Sequence, residues 1–274
     1  MNWIKEIGPR AGRDGWRDDF PLAPELPDVV EIDCSRLELP IHPMFAVRLR
    51  IFIEWHRTTG REVRIVPPKD RAAHNAFGAM GIDPETAAPQ EDDAIMPVTR
   101  MKEFLEVEEV AGRVQEILEY QLHDVSPLGP AAFMAVSELC GNAIDHGEHY
   151  LGAFAAVRRV TDPRPQVSVA IGDLGIGIPE HIRRCYPEWS DDGWAIAHAT
   201  KEGVSGTNNP HRGIGFSAVF EAALTASLHA AKMDVLSARG FCRIQTVQET
   251  PKVEVLPATQ FRRGTWITYE LVSV

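Results

Sequence analysis

Ser137-Glu-Leu-Cys-Gly-Asn142-Ala-Ile-Asp-His146-Gly147 is the stretch on which the reading of this chain turns. Laid out at about 100° per residue, the segment Pro130–His146 separates into two sides. Phe133, Val136, Leu139, Cys140, Ala143 and Ile144 fall on one, and Glu138, Asn142, Asp145 and His146 on the other. Glu138 and Asn142 are one turn apart on the same face. A solvated surface helix would account for the split, but two details speak for more. Asn has poor helix propensity and belongs at caps. The polar side also ends in Asp-His-Gly, not in the Lys and Glu of an ordinary solvated stripe. An amide oxygen is a hard, neutral ligand suited to Mg²⁺, and a carboxylate one turn away can polarise a water or hydroxyl that attacks a phosphate.

Downstream, Val167-Ser-Val-Ala-Ile-Gly-Asp173 is apolar and β-branched, hence a buried strand that delivers Asp173 to its C-terminal end. Leu-Gly175-Ile-Gly177-Ile178-Pro179 follows. A tight turn explains the two glycines; so does a flat base lying against the backbone while Asp173 accepts a hydrogen bond from its exocyclic amine. Further on, His211-Arg212-Gly213-Ile214-Gly215-Phe216 opens a helix expected over Phe216–Leu228. Glycines at a helix N-terminus leave N–H groups free for an anion. No Gly-x-x-x-x-Gly-Lys-Ser/Thr occurs in the chain, and the third glycine of a dinucleotide fingerprint is missing. Each motif alone is weak. Three in one order, each on the element its role requires, form a strong constellation.

The bulk composition agrees with a soluble globular protein: 274 residues, 44% hydrophobic and 24% charged, enough for two domains. No apolar run approaches the roughly 18–20 residues of a membrane span, and the N-terminus lacks a signal-peptide pattern, so a cytoplasmic location is expected with no membrane partner. A net charge of −11 disfavours nucleic acid, yet phosphate can still be held locally by backbone N–H groups and a metal. Cys34, Cys140, Cys185 and Cys242 lie far apart, which fits reduced thiols and neither a zinc knuckle nor a disulfide scaffold. His146 and His149 lack a third ligand and are read as incidental.

Residues 1–27 read as an arm with little structure of its own. Residues 28–90 read as a small α/β unit: strand Val29–Asp33, helix Pro43–His56, strand Glu62–Val66 and helix Ala72–Met80. A connector over 82–97 leads into a larger domain over 91–274. There, a strand near Met96–Met101 precedes a helix from about Val107 to Leu122 and the Pro130–Ile144 helix. After the Gln166–Asp173 strand comes an irregular stretch from about Glu180 to Arg212. Strands near Met233–Ala238, Phe241–Val247 and Thr265–Leu271 close the chain.

The residues of the larger domain resemble the GHKL ATPase superfamily, which groups gyrase, heat-shock-90-type chaperones, histidine kinases and mismatch-repair ATPases. Ser137–Gly147 is similar to its asparagine box, Asp173–Gly177 to its first glycine box and Arg212–Phe216 to its second. Gly264-Thr265-Trp-Ile-Thr is similar to a late strand whose threonine sits by the adenine. The resemblance implies a Bergerat-type α/β sandwich, a mixed sheet with helices on one face, binding ATP and Mg²⁺. It would place Mg²⁺ on Asn142, the adenine amine on Asp173, and the nucleotide's edge on Gly175, Gly177 and Ile178. Phosphates would lie on Gly213, Ile214 and Gly215, and a lid would run from about Trp194 to Arg212. Lys201, His211 and Arg212 would add positive charge, with Asp145 and His146 lining the same cleft.

Within the superfamily, Ser-Glu-x-x-x-Asn-Ala-Ile-x-His-Gly looks most like anti-sigma-factor serine kinases, with Glu138 as general base. The unit 28–90 resembles the STAS fold of the antagonists such kinases bind. Where that family carries its acceptor serine, this chain has Ile41-His-Pro-Met44, and Ser35 lies too early; a docking role fits better than phosphorylation in cis. Three functions stay open at this point: an ATPase or Ser/Thr kinase acting on a STAS-type, sigma-factor-like or other regulatory protein, a nucleotide-gated interaction module, and a scaffold that no longer binds nucleotide. The oligomeric state, monomer or homodimer, is also open.

Overall fold

The computed structural model describes residues 3–13, 16, 20–22, 25–83, 94–123, 125–147, 149–160, 165–201, 219, 221–222, 230–247, 250–257 and 260–272. The chain divides into two compact units, Met1–Thr99 with Ala156–Arg158, and Arg100–Ala155 with Arg159–Val274.

In the first unit, β1 (Trp3–Glu6), β2 (Val29–Asp33) and β3 (Glu62–Val66) form a three-stranded sheet in that order, with both pairings parallel. Parallel neighbours need crossover connections, and α1 (Pro43–Thr58) supplies the one between β2 and β3. Its start is fixed by His42, whose Nδ1 accepts the Met44 N–H at 3.1 Å, and by Pro43 in the first turn. Phe45, Leu49 and Phe52 of α1 and Val30 and Ile32 of β2 are all buried. Asp70 caps α2 (Arg71–Ala79) through the Ala73 N–H at 2.8 Å. The arm expected over residues 1–27 therefore contains a strand. Trp-Ile-Lys-Glu is too short to signal one by itself; β2 holds it in place, and the Trp3 ring lies 6.0 Å from that of Phe52.

A seven-stranded sheet runs β4 (Ala94–Met101), β5 (Ala153–Val160), β6 (Gln166–Asp173), β10 (Arg262–Val272), β7 (Ala230–Ala238), β8 (Gly240–Val247), β9 (Thr250–Leu256). From β6 to β9 every pairing is antiparallel. Cross-strand partners share a face, so the registers sort the side chains. Val169, Tyr269 and Met233 line up on one face, as do Ile171, Ile267, Val235 and Cys242, and all are buried. The other face carries Ser168, Glu270 and Lys232 in one row and Thr268, Asp234, Arg243 and Glu254 in the next.

Helices cover the apolar face. α4 (Gly129–Gly147) packs on β6 and β10, with α3 (Phe104–Glu116) against α4. α5 (Ile178–Cys185) and α6 (Asp192–Ala199) pack on each other and on β7, and α6 reaches β8 and β9. The Cys242 thiol donates to the Gly193 carbonyl at 3.3 Å, and the Tyr269 hydroxyl to that of Val219 at 3.1 Å. This is an α/β sandwich with helices packed on one face of the larger sheet, as the motifs led one to expect.

Several elements differ from the sequence reading. The stretch Glu180–Arg212, expected to be irregular, contains α5 and α6. Trp194–Ala199, expected at the start of a lid, is helix: Asp191 caps it through the Trp194 N–H at 2.8 Å, and the Trp194 ring stacks on His198 at 4.5 Å. Residues 202–212, the rest of that lid, lie outside the described residues. β5 and β9 were not anticipated.

Candidate functional site

β6 ends at Asp173, and polar side chains of three strands meet at this end of the helix-covered face. Asp173 and Ser237 are buried, and Thr265 is half-buried. All three belong to the helix-covered face: Asp173 by alternation from Ile171, Thr265 from Ile267, and Ser237 from Val235. Thr265 pairs directly with Ser237, and its N–H donates to the Asp173 carboxylate. The three side chains therefore form a row across β6, β10 and β7.

The row depends on an irregularity. The register of β10 against β7 shifts between Arg262 and Thr265, and Gly264 there has φ +80°. A Cβ on Gly264 would drive into the Asp173 carbonyl oxygen, so only glycine admits the two backbones at this approach. Gly177 is bound by the same logic. It has φ +81°, and a Cβ there would lie 2.6 Å from Ser237 Oγ and 3.1 Å from the Gly264 carbonyl oxygen. Ser237 joins the pieces: its hydroxyl donates to the Gly264 carbonyl at 2.8 Å, accepts from the Ile178 N–H at 3.1 Å, and lies 3.3 Å from Thr265 Oγ1.

The turn after β6 is closed by Asp173 itself, whose Oδ1 accepts from the Gly175 N–H at 2.7 Å. Arg263 Nε donates to the Leu174 carbonyl at 2.9 Å. Burial pushes the Asp173 carboxyl up to about 7, against the opposing pull of the Gly175 and Thr265 N–H groups. Among the described residues no cation pairs with it.

Glu138 and Asn142 lie on α4, which packs on the two strands that carry Asp173 and Thr265. Val136, Leu139 and Cys140 anchor the helix, while Glu138 and Asn142 are half-buried and, among the described residues, have no hydrogen-bond partner. Burial raises the Glu138 carboxyl above its ordinary range. Asp145 is exposed. Just past α4, burial and then the charges of Arg263 and Arg100 lower the His149 imidazole. The Asn142 amide oxygen, without a partner among the described residues, is a hard donor that fits Mg²⁺.

The structure thus gathers Asp173, Gly175, Gly177, Ile178 and Thr265 into one place, with Glu138 and Asn142 on the helix above the same strands. Lys201 is exposed just after α6, its N–H on the His198 carbonyl at 3.1 Å. The His146 side chain and Arg212, Gly213, Ile214, Gly215 and Phe216 lie outside the described residues. Ser237 was missed by the sequence reading. A serine after Val235-Leu236 carries no motif, and its place is set by a bulge in another strand.

No protein-family model and no curated protein sequence matches the chain. Among solved structures, the chain is similar to the 43K ATPase domain of Thermus thermophilus gyrase B, in a complex with an aminocoumarin, at 20% identity and a TM-score of 0.30. The match covers 60% of this chain and 41% of that one.

Proposed function

We propose that the chain binds Mg²⁺-ATP and acts on a partner protein as an ATPase or Ser/Thr kinase of the anti-sigma-factor type. The observation that carries the reading is Asp173: a buried carboxyl with no cation beside it among the described residues, fixed by two backbone N–H groups at the end of a sheet strand. A ligand amine donating to it would supply the partner that the carboxylate lacks, and adenine has such an amine where guanine has a carbonyl. Gly177 and Gly264 let the backbone turn tightly enough for a flat base to reach the row of Asp173, Thr265 and Ser237. Asn142 would give one oxygen to Mg²⁺, with phosphates and water completing the shell; the metal would neutralise charge on the phosphates. Glu138, raised by burial, suits a general base for a hydroxyl or water. Gly213, Ile214 and Gly215 would hold phosphate, with Lys201 and Arg212 as cations. In this reading residues 91–274 form the nucleotide domain and 28–90 a STAS-like docking unit.

Thermal-shift titration of the purified chain tests it. ATP and ADP should stabilise, by about 2.7 kcal/mol at a hundredfold excess over Kd, and GTP should not. Equal shifts with GTP, or none with ATP, would sink the assignment of Asp173. Unchanged turnover in Glu138→Gln would remove Glu138 as base.

A second reading, a nucleotide-gated interaction module with little turnover, is favoured by Ile41-His-Pro-Met44 standing where an acceptor serine would be. Equal capture of a partner with ATP, ADP and no nucleotide would eliminate it.

A further inference from the structure

The far edge of the seven-stranded sheet is as open as the Asp173 end is closed. Among the described residues β9 is the last strand, and every residue from Thr250 to Val255 is exposed. An edge strand of this kind is a template for another strand unless something blunts it. Pro251 blunts one position only. Proline has no N–H to give to β8, which places the backbone of Pro251 on the free side of the strand. By alternation the N–H and C=O groups of Val253 and Val255 point the same way. Both side chains are apolar and open, at 38% and 53% exposed.

The side chains between them carry charge in a specific order. On the polar face of the sheet, the cross-strand row Asp234, Arg243, Glu254 alternates in sign and stops at the free edge on a carboxylate. Lys252 lies two residues away on the same face. In an antiparallel pairing of two β9 strands about a two-fold axis at Val253, Glu254 falls opposite Lys252 of the second copy, and Lys252 opposite its Glu254. The alternation then runs on across the boundary: Asp234, Arg243, Glu254, Lys252. The two Val253 residues pair with each other and exchange both backbone hydrogen bonds. Each Val255 N–H meets a Pro251 carbonyl, an acceptor that proline retains. Shifting the axis to Glu254 would put like charges opposite each other, which is unfavourable.

We propose that β9 is a self-complementary edge through which two copies of this chain pair, joining their sheets into one. The contact is isologous and makes no use of the nucleotide site, so it stands or falls separately from the function proposed above.

Sedimentation velocity of the full chain over a concentration series tests it, with circular dichroism to confirm folding. Wild type should show a concentration-dependent dimer. Lys252→Glu alone and Glu254→Lys alone each place like charges opposite each other twice, and each should shift dissociation at least tenfold toward monomer. The double swap Lys252→Glu/Glu254→Lys restores complementarity and should dimerise again. Mixing the two single variants should produce a heterodimer, since each then meets its opposite. A wild type that stays monomeric at every concentration overturns the proposal and leaves the edge to a strand of a different protein. A dimer indifferent to both single swaps overturns it as well, by placing the contact elsewhere.

Discussion

Two aspartates of the large sheet, Asp173 and Asp234, are equally withdrawn from water at 3% exposure, and the protein treats them in opposite ways. Asp234, on the polar face, accepts two hydrogen bonds from Arg243, at 2.7 and 2.9 Å, with Lys232 Nζ at 3.5 Å. Its charge is met in full by side chains of the same sheet. Asp173, on the helix-covered face, receives only backbone N–H groups among the described residues, and burial drives its carboxyl up to about 7. A buried charge without a counterion is costly and survives where something else uses it. One aspartate is tied into the sheet by side chains; on the function proposed above, the other is kept for a ligand.

The sharpest way to break this contrast is to remove the two charges in turn. Asp173→Asn keeps an oxygen for the Gly175 N–H but can no longer accept an amine as an ion. Hydrogen bonds to charged groups contribute about 1.5–3 kcal/mol, so ATP affinity should fall roughly ten- to hundredfold, measured by calorimetric titration. The fold should be unharmed. If Asp173→Asn unfolds the chain while binding persists in what remains folded, the aspartate is structural and the contrast is false.

Acidity sharpens the same point. A carboxyl near 7 in the folded chain and near its ordinary value when unfolded binds its proton more tightly in the folded state. The folded chain then carries more protons than the unfolded one between about pH 4 and pH 7. Stability of the ligand-free protein should therefore fall as pH rises through that window, at no more than about 1.4 kcal/mol per pH unit. Asp173→Asn should lose this slope. Denaturant midpoints at several pH values measure it, and an identical slope in the variant would show that Asp173 ionises normally.

Asp234→Asn should do the reverse: little change in nucleotide affinity and a loss of about 1–2 kcal/mol in stability, the latter reduced because Arg243 keeps contact with water. Denaturant unfolding beside an ATP titration would separate the two effects. A drop in ATP affinity equal to that of Asp173→Asn would erase the distinction.

What the sequence disclosed follows from how local each constraint is. The α4 face and the Asp-x-Gly-x-Gly turn are legible because helix period and glycine content are written within a few residues. Gly264-Thr265 is legible as a pair, though not its reason, the collision a Cβ would make with Asp173. The elements that were missed answer to distant partners. Trp3–Glu6 is a strand because β2 lies alongside it. Thr250–Leu256 shows no clear strand pattern, because it carries a proline and charged side chains that an edge strand tolerates. Asp192–Ala199, too short and too evenly apolar to show a period, is a helix because Asp191 caps it and β8 receives it.

Ser237 belongs to the same category, and it gives the smallest effect. Its hydroxyl sits between three elements, the Ile178 N–H, the Gly264 carbonyl and Thr265 Oγ1. Ser237→Ala removes the acceptor of one backbone group and the donor to another, at a cost of about 1–2 kcal/mol. The loss is local, because Asp173 keeps its own N–H donors. The variant should therefore lower stability modestly in denaturant unfolding, while its pH slope from 4 to 7 stays that of wild type. Were Ser237→Ala to abolish the pH slope, the row of Asp173, Thr265 and Ser237 would have to be treated as one titrating unit, and the contrast with Asp234 would rest on the whole row.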